Sequence, residues 1–404
     1  MPQMDVRKVK AGYGNRPKAK AGFFPRKGDS AGEFIRKIVL IASILLLVAT
    51  TLVVLDFYVF GNFLGFFEED VTENPILVDF DRNDNSIGTI TLPENDPLNP
   101  GVAVEVPILD VYREFWESND EFVGFLSLGD DDDPYIHYPV VWRRYDNEFY
   151  LNHNFDRVPT RNGTLFTDGW GIFTAPNPIT GESGRPDNVV VHGHNIRVRA
   201  LFHSLRHYVN RDNGFQFLQD NPIIQFDTLF ERGTYKIFAV AQMPVLDHLV
   251  AEGSRELFPF WRKSHFETSD DFYEYVVELL DRSRFHTDVD LRYGDELLTL
   301  ATCDASMFGE GVRIVVVARR VREGESYEMN VDEFVNLRAE NSGRTSDGFV
   351  KYKMFDSYYR NLNGRNGWVG RHSRNWDTSR VEGLDDFLRR NPYFVTGNLE
   401  YLND

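Results

Sequence analysis

Short apolar or alternating runs, each bounded by turn residues, dominate the middle of the chain. They are residues 122–128 (FVGFLSL), 135–142 (YIHYPVVW), 148–152 (EFYLN), 188–194 (NVVVHGH), 222–227 (PIIQFD), 234–243 (TYKIFAVAQM), 296–303 (ELLTLATC) and 312–321 (VRIVVVARRV). Runs of this length and β-branched content read as strands. Eight of them with few helices between predict a mainly β domain, a largely antiparallel closed barrel. Helical spacing is rarer. Residues 106–119 (VPILDVYREFWESN) put Ile108, Val111, Phe115 and Trp116 roughly on one face. Further helices are expected at about 197–209 and 268–283, and a short one at DDFLRRN with Asn391 near its C-cap.

The N-terminal region follows a different pattern. Ile38 to Leu55 is eighteen residues without a charge. At ~1.5 Å per residue it nearly spans a hydrocarbon core of about 30 Å. Asp56 interrupts it, and FYVFGNFLGFF continues the aromatic character as an interfacial belt would. Residues 1–37 carry ten Lys/Arg against Asp5, Asp29 and Glu33, and Glu68, Glu69 and Asp70 follow the apolar run. Basic before and acidic after predicts a cytoplasmic N-terminus and a retained single-pass anchor in membrane lipid, with the bulk of the chain extracytoplasmic. A cleaved signal peptide fits less well: the basic region is too long and no clear small-x-small cleavage site follows. The expected organisation is a basic tail over 1–37, an anchor over 38–60, a polar Asn/Asp/Pro-rich stalk over 61–102, a globular domain over 103–322, and an extension of unknown fold over 323–404.

Composition changes the picture in two ways. The 404 residues carry a net charge of -18, which argues against nucleic acid as a partner. There is a single cysteine, so no intramolecular disulfide framework, Cys-based zinc site or iron–sulfur cluster can form. No metal or cofactor is expected. A lone cysteine in an exported domain is either a buried inert thiol or a reactive nucleophile.

That cysteine, Cys303, ends the apolar run Leu297–Cys303, and Arg313 opens the next run ten residues later. Two strands joined by one loop bring the pair to one end of a sheet. A guanidinium there favours thiolate over thiol and donates hydrogen bonds to a developing oxyanion. A third strand, Asn188 to His192, leads into Gly193-His194-Asn195. A histidine at a strand end beside a cysteine is the usual partner for thiol chemistry, because its ordinary pKa lies near neutrality. Residues two apart on a strand share a face, so His192 and His194 are not separated by pattern alone.

Taken together, Gly193-His194-Asn195, the strand Thr299-Leu300-Ala301-Thr302-Cys303 about a hundred residues on, and Arg313 at the head of an apolar strand resemble the sortase family. The GHN form, together with VGFLSL, the YPVVW strand, EFYLNHNF and GTLF, is similar to class B sortases. The resemblance covers about residues 105–322, and the long C-terminal extension departs from the family pattern. It implies a sortase-type barrel and a membrane-anchored cysteine transpeptidase on a Gram-positive-type cell surface. Cys303 would attack the carbonyl of a sorting-signal Thr, His194 would act as general acid and then base, and Arg313 would stabilise the oxyanion. The implied partners are surface proteins with NPxT-like or LPxT-like signals, and an amine of a peptidoglycan precursor or a pilin. His192 is then a packed or hydrogen-bonded neighbour.

Thr302, Asp304 and Asn195 are candidate supporting residues. Thr302 either presents its backbone toward the oxyanion or is an ordinary strand Thr. Asp304 either orients Arg313 or a loop, or is a solvated loop acid. Asn177-Pro178-Ile179-Thr180-Gly181 reads either as an internal pseudosubstrate or as a proline-rich turn, and Asn-Pro occurs five times in the chain. Asp130 to Asp133 read as a solvated hairpin turn more readily than as a cation site. Residues 340–380, with eight Lys/Arg against four Asp/Glu, would dock on the acidic body or on anionic wall polymers, or form a solvated face. The alternative to an enzyme is a catalytically silent, surface-anchored binding module on the same barrel. Intact Cys303, His194 and Arg313 argue against it. A papain-like or amidase-type hydrolase places its cysteine before its histidine and starts a helix with it, the reverse of the order here.

Overall fold

A computed structural model of the chain describes residues 23–55, 82, 84–92, 103–130, 133–176, 184–196, 200–210, 212–246, 257–304, 311–336, 377–392 and 394, together with the backbone of 343–344, 349–351, 356–361 and 366–370. It divides into two units, residues 1–72 and 73–404. In the first, α1 (Ala31–Leu55) is long and apolar enough to cross a membrane. It starts seven residues before the uncharged run. Ser30 Oγ accepts from Glu33 N, and the Glu33 carboxylate accepts from Ser30 N, a capping box that nucleates the helix there.

The second unit opens with an antiparallel pair, β1 (Ile87–Leu92) and β2 (Val104–Leu109), followed by a 3-10 turn and the short α2 (Arg113–Ser118). The helix expected over 106–119 is therefore confined to its second half. Val104, Val106 and Ile108 alternate with Glu105 and Pro107, a period of two that satisfies a strand, and Pro107 sits where no ladder donor is needed.

Next come β3 (Phe122–Leu128), β4 (Ile136–Val141), β5 (Leu165–Thr167) and β6 (Asn188–His192). A two-residue pair, β7 (Asn195–Ile196) and β8 (Ala200–Leu201), leads to a 3-10 segment over Phe202–His207 and to α3 (Gly214–Asp220). Then follow β9 (Ile223–Thr228), β10 (Thr234–Pro244), α4 (Ser269–Arg282), β11 (Phe285–His286), β12 (Leu297–Cys303) and β13 (Val312–Arg320). Eight strands among the described residues close a barrel in the order β10-β13-β12-β6-β5-β4-β3-β9. It is mainly antiparallel, with β4–β5 and β6–β12 parallel. Residues 148–152 are not one of its strands: they form a 3-10 turn over Phe149–Leu151, and β5 takes the eighth place. The segment expected as a helix at 197–209 is 3-10 rather than α where it is helical.

Strands β12 and β13 are buried on both faces, which is why they read as unbroken apolar runs. Leu298, Leu300, Ile314 and Val316 fill the barrel interior, while Leu297, Ala301, Val315 and Val317 pack outside against the layer of α4. The helix α4 begins with a capping box between Thr268 and Asp271 and buries Phe272, Tyr275, Val276 and Leu279. Tyr275 also reaches a buried polar triad. Asn188 Nδ2 donates to the Tyr275 hydroxyl at 2.9 Å, and Thr299 Oγ1 donates to Asn188 Oδ1 at 2.8 Å. The triad joins α4, β6 and β12.

Part of the C-terminal extension is built into this outer layer. Arg319, fully buried, pairs with Glu325 at 2.6 Å, and Lys236 adds a second cation at 2.8 Å, so the Glu325 carboxyl is held well below the usual carboxylate range. Downstream, β14 (Val335–Asn336) pairs with β11. Four strands, β15 (Gly343–Arg344), β16 (Phe349–Lys351), β17 (Asp356–Asn361) and β18 (Asn366–Gly370), form an antiparallel meander. The short helix α5 (Leu384–Arg390) follows, capped by Asn391 as the sequence predicts. Leu384 and Phe387 of α5 bury against the layer of α4, and Arg390 chelates Asp270 at 2.6 and 2.7 Å.

At the barrel end away from Cys303, Asp227 is fully buried and accepts from Arg82 at 2.6 Å, Arg232 at 2.7 Å, the Tyr112 hydroxyl at 2.7 Å and Gly233 N at 3.0 Å. Removing its charge strands two guanidiniums. Asp227→Asn is expected to lower unfolding free energy by roughly 3–5 kcal/mol, read as a drop in the urea midpoint at unchanged slope.

Candidate active site

Cys303 is the last residue of β12 and stands in register opposite Arg313, the second residue of β13. Residues directly opposed in an antiparallel pair lie about 5 Å apart at Cβ and share a face. Alternation along both strands puts them on the side of Ala301 and Val315, at the edge of the layer packed by α4. Both are half-buried. A thiol and a guanidinium thus meet where the sheet surface gives way to solvent, with the apolar layer behind them.

The histidine strand β6 runs parallel to β12, with His192 opposite Ala301. Three hydrogen bonds carry the contact beyond the ladder. Gly193 N donates to Ala301 O at 3.3 Å, Thr302 Oγ1 donates to Gly193 O at 2.7 Å, and Asn195 Nδ2 donates to Cys303 O at 2.9 Å. Thr302 therefore works through its hydroxyl, as a clasp between strands. Gly193 is required by close approach: a Cβ there would lie 2.3 Å from Leu165 Cδ2 and 2.9 Å from Phe202 Cδ2.

His194 is half-buried, and its Nε2 lies 2.9 Å from the carbonyl oxygen of Leu151. A carbonyl only accepts, so Nε2 carries the hydrogen and Nδ1 is the nitrogen able to exchange a proton. The Leu151 carbonyl has no signature in the sequence, since any residue supplies one. His192 is differently placed. Its ring stacks on Phe166, with centroids 5.4 Å apart. Burial pushes its imidazole down to about 4; the Asp168 carboxylate pulls the other way, and the Arg313 guanidinium adds to the depression. It is neutral at physiological pH.

Asp304 is fully buried and is not a solvated loop acid. Its backbone N donates to Val312 O at 2.9 Å, and its carboxylate accepts from Gln242 Nε2. Residues 177–181, the pseudosubstrate candidate, lie outside the described residues, as do Asp131 and Asp132.

No family model matches the chain. The sortase B of Listeria monocytogenes is 25% identical over 214 residues, covering 53% of this chain and 75% of that protein. The sortase B of Staphylococcus aureus is 24% identical over 204 residues, covering 50% and 72%. Similar solved structures include Clostridium perfringens sortase B, 27% identical over 52% of this chain and 99% of that one, with a TM-score of 0.40. Another is a Staphylococcus aureus sortase B–substrate complex, 22% identical over 53% and 86%, with a TM-score of 0.41. The curated sortase B relatives and the closed barrel support a sortase-family, class B-like assignment for the chain. That homology supports a sortase-family transpeptidase.

Two outcomes follow from the geometry. Thr302→Val leaves the Gly193 carbonyl without its side-chain donor and is expected to lower stability by about 1–3 kcal/mol in urea unfolding. His192 has a folded pKa of about 4 against an ordinary value of 6.5. Between those values the unfolded chain takes up a proton that the native state refuses. Its contribution is full above pH 6.5 and is lost as pH falls toward 4, by about 3 kcal/mol at most. His192→Gln should remove that part of the acid-side slope when urea midpoints are compared from pH 7 to pH 4.

Proposed function

We propose that the chain is a membrane-anchored cysteine transpeptidase with Cys303, His194 and Arg313 as its catalytic residues. The register pairing of Cys303 with Arg313, beside the hydrogen-bonded Gly193–Asn195 segment, supports this reading most directly. The Cys303 thiol passes its proton to Nδ1 of His194, and its sulfur attacks the Thr carbonyl of a bound sorting signal. A C–S bond forms, and the carbonyl electrons move onto oxygen, where Arg313 donates to the oxyanion. Collapse breaks the C–N bond, and the departing nitrogen takes a proton from Nδ1 of His194. An incoming amine then attacks the thioester, His194 takes its proton, and the C–S bond breaks to return Cys303. The acceptor is an amine of a peptidoglycan precursor or a pilin, and the signal is NPxT-like or LPxT-like. One similar solved structure is itself a sortase B–substrate complex. The helix α1 anchors the enzyme with its basic N-terminal tail in the cytoplasm and the barrel outside, supported by the ten Lys/Arg of residues 1–37.

The test is incubation of the detergent-solubilised full chain with a panel of NPxT and LPxT peptides, followed by mass spectrometry. At least one peptide is expected to leave an acyl adduct on Cys303, and Cys303→Ala to leave none. Arg313→Lys, which keeps the charge but loses the planar fork, is expected to lower kcat/KM by about 10²–10³-fold. No adduct from any peptide, or equal adduct on Cys303→Ala, would overturn the mechanism.

A further inference from the structure

Strand β10 is apolar through Ile237-Phe238-Ala239-Val240-Ala241, and then places a buried glutamine, Gln242, before Met243. Burying an amide without partners costs about 1–3 kcal/mol, so its partners carry information. Gln242 stands in register opposite Ile314, and its neighbour Met243 stands opposite Arg313. Its Nε2 donates to the carboxylate of Asp304, the residue that follows the nucleophile. Its Oε1 accepts from Arg284 Nη1 at 3.4 Å, and the same Nη1 donates to the Val209 carbonyl. Gln242, Asp304 and Arg284 are each at least nine-tenths buried.

We propose that Gln242 is a positioning residue for the nucleophile, acting through Asp304. The inference rests on the catalytic role assigned to Cys303 above. Cys303 lies between two fixed points. On one side its carbonyl is held by Asn195; on the other, Asp304 is held by its backbone bond to Val312 and by its side-chain bond to Gln242. Arg284 orients the Gln242 amide with its N–H toward the carboxylate, because the guanidinium can only donate. The pair spans 62 residues of sequence, so it ties β10 to the exit of β12 directly. Losing the bond frees that exit, and with it the sulfur's placement against Arg313. Misplacement of a reacting group by about 1 Å lowers turnover by up to ~10²-fold, with little effect on binding made elsewhere.

The experiment measures kcat and KM for a peptide that the wild type turns over, together with the rate of Cys303 alkylation, in Gln242→Met, Asp304→Asn and the double variant. Gln242→Met is expected to lower kcat by roughly 10–100-fold with KM within about 3-fold of wild type, and to slow alkylation. In the Asp304→Asn background the same substitution should change kcat by less than about 3-fold, because the two act as one unit. If Gln242→Met does not fold, Gln242→Asn, which keeps the amide but is one methylene too short, carries the same comparison. Folded variants with unchanged kcat, effects confined to KM, or effects that multiply in the double variant would overturn the proposal. Alkylation keeps the test independent: if the wild type turns over no peptide, the transpeptidase reading fails, while unaltered alkylation in the variants separately refutes the positioning role.

Discussion

The register of β6 against β12 is the constraint on which the site depends. These two strands are parallel, so no tight turn sets their alignment. Side chains set it instead, at both ends. Asn188, Thr299 and Tyr275 form a buried triad where the strands begin. Thr302 and Asn195 clasp the Gly193–Asn195 segment to the last residues of β12 where they finish. A shift of one residue would unpair all of these groups at once and turn His192 and Ala301 to the wrong faces. Each bond is modest, but all sit where an unmade bond is expensive.

The second layer of control is electrostatic. Arg313 on β13 and His192 on β6, which stands opposite Ala301, lie on the sheet face of Ala301 and Val315 that packs toward α4. The burial that makes the strands stable also keeps His192 uncharged beside the guanidinium. One histidine of the pair is therefore a neutral packing group stacked on Phe166. The other, two residues later, has left the ladder and holds its tautomer through the Leu151 carbonyl. Two histidines of similar sequence context acquire different characters from a single break in the strand at Gly193.

Much of this was legible in the sequence for one reason: strands buried on both faces give unbroken apolar runs, here β-branched and bounded by turn residues. That holds for β12 and β13, which carry Cys303 and Arg313, and for β6, which leads into His194; the ten-residue spacing reads directly as a hairpin. The helix α4 was legible as a segment at about 268–283, and the structure has it over Ser269–Arg282. Residues 106–119 misled because Ile108, Val111 and Phe115 satisfy a helical period while Val104 to Ile108 also alternate, and pairing with β1 decided between them. Residues 148–152 looked like a strand, but so short a run is as readily a 3-10 turn. The three residues of β5 were too few to register. Gln242 and the Leu151 carbonyl have meaning only through partners far away in sequence, which no local pattern contains.

The clasp between Asn195 and the Cys303 carbonyl joins positions 108 residues apart. Closing so long a loop lowers chain entropy before any contact compensates, and parallel pairing of distant strands is among the slower steps of folding. Cys303 therefore gains Asn195 as a neighbour only once that long loop has closed. Until that closure, Cys303 lacks the side-chain clasp on its carbonyl, so the geometry around the thiol is a property of the finished barrel and not of the strand that carries it.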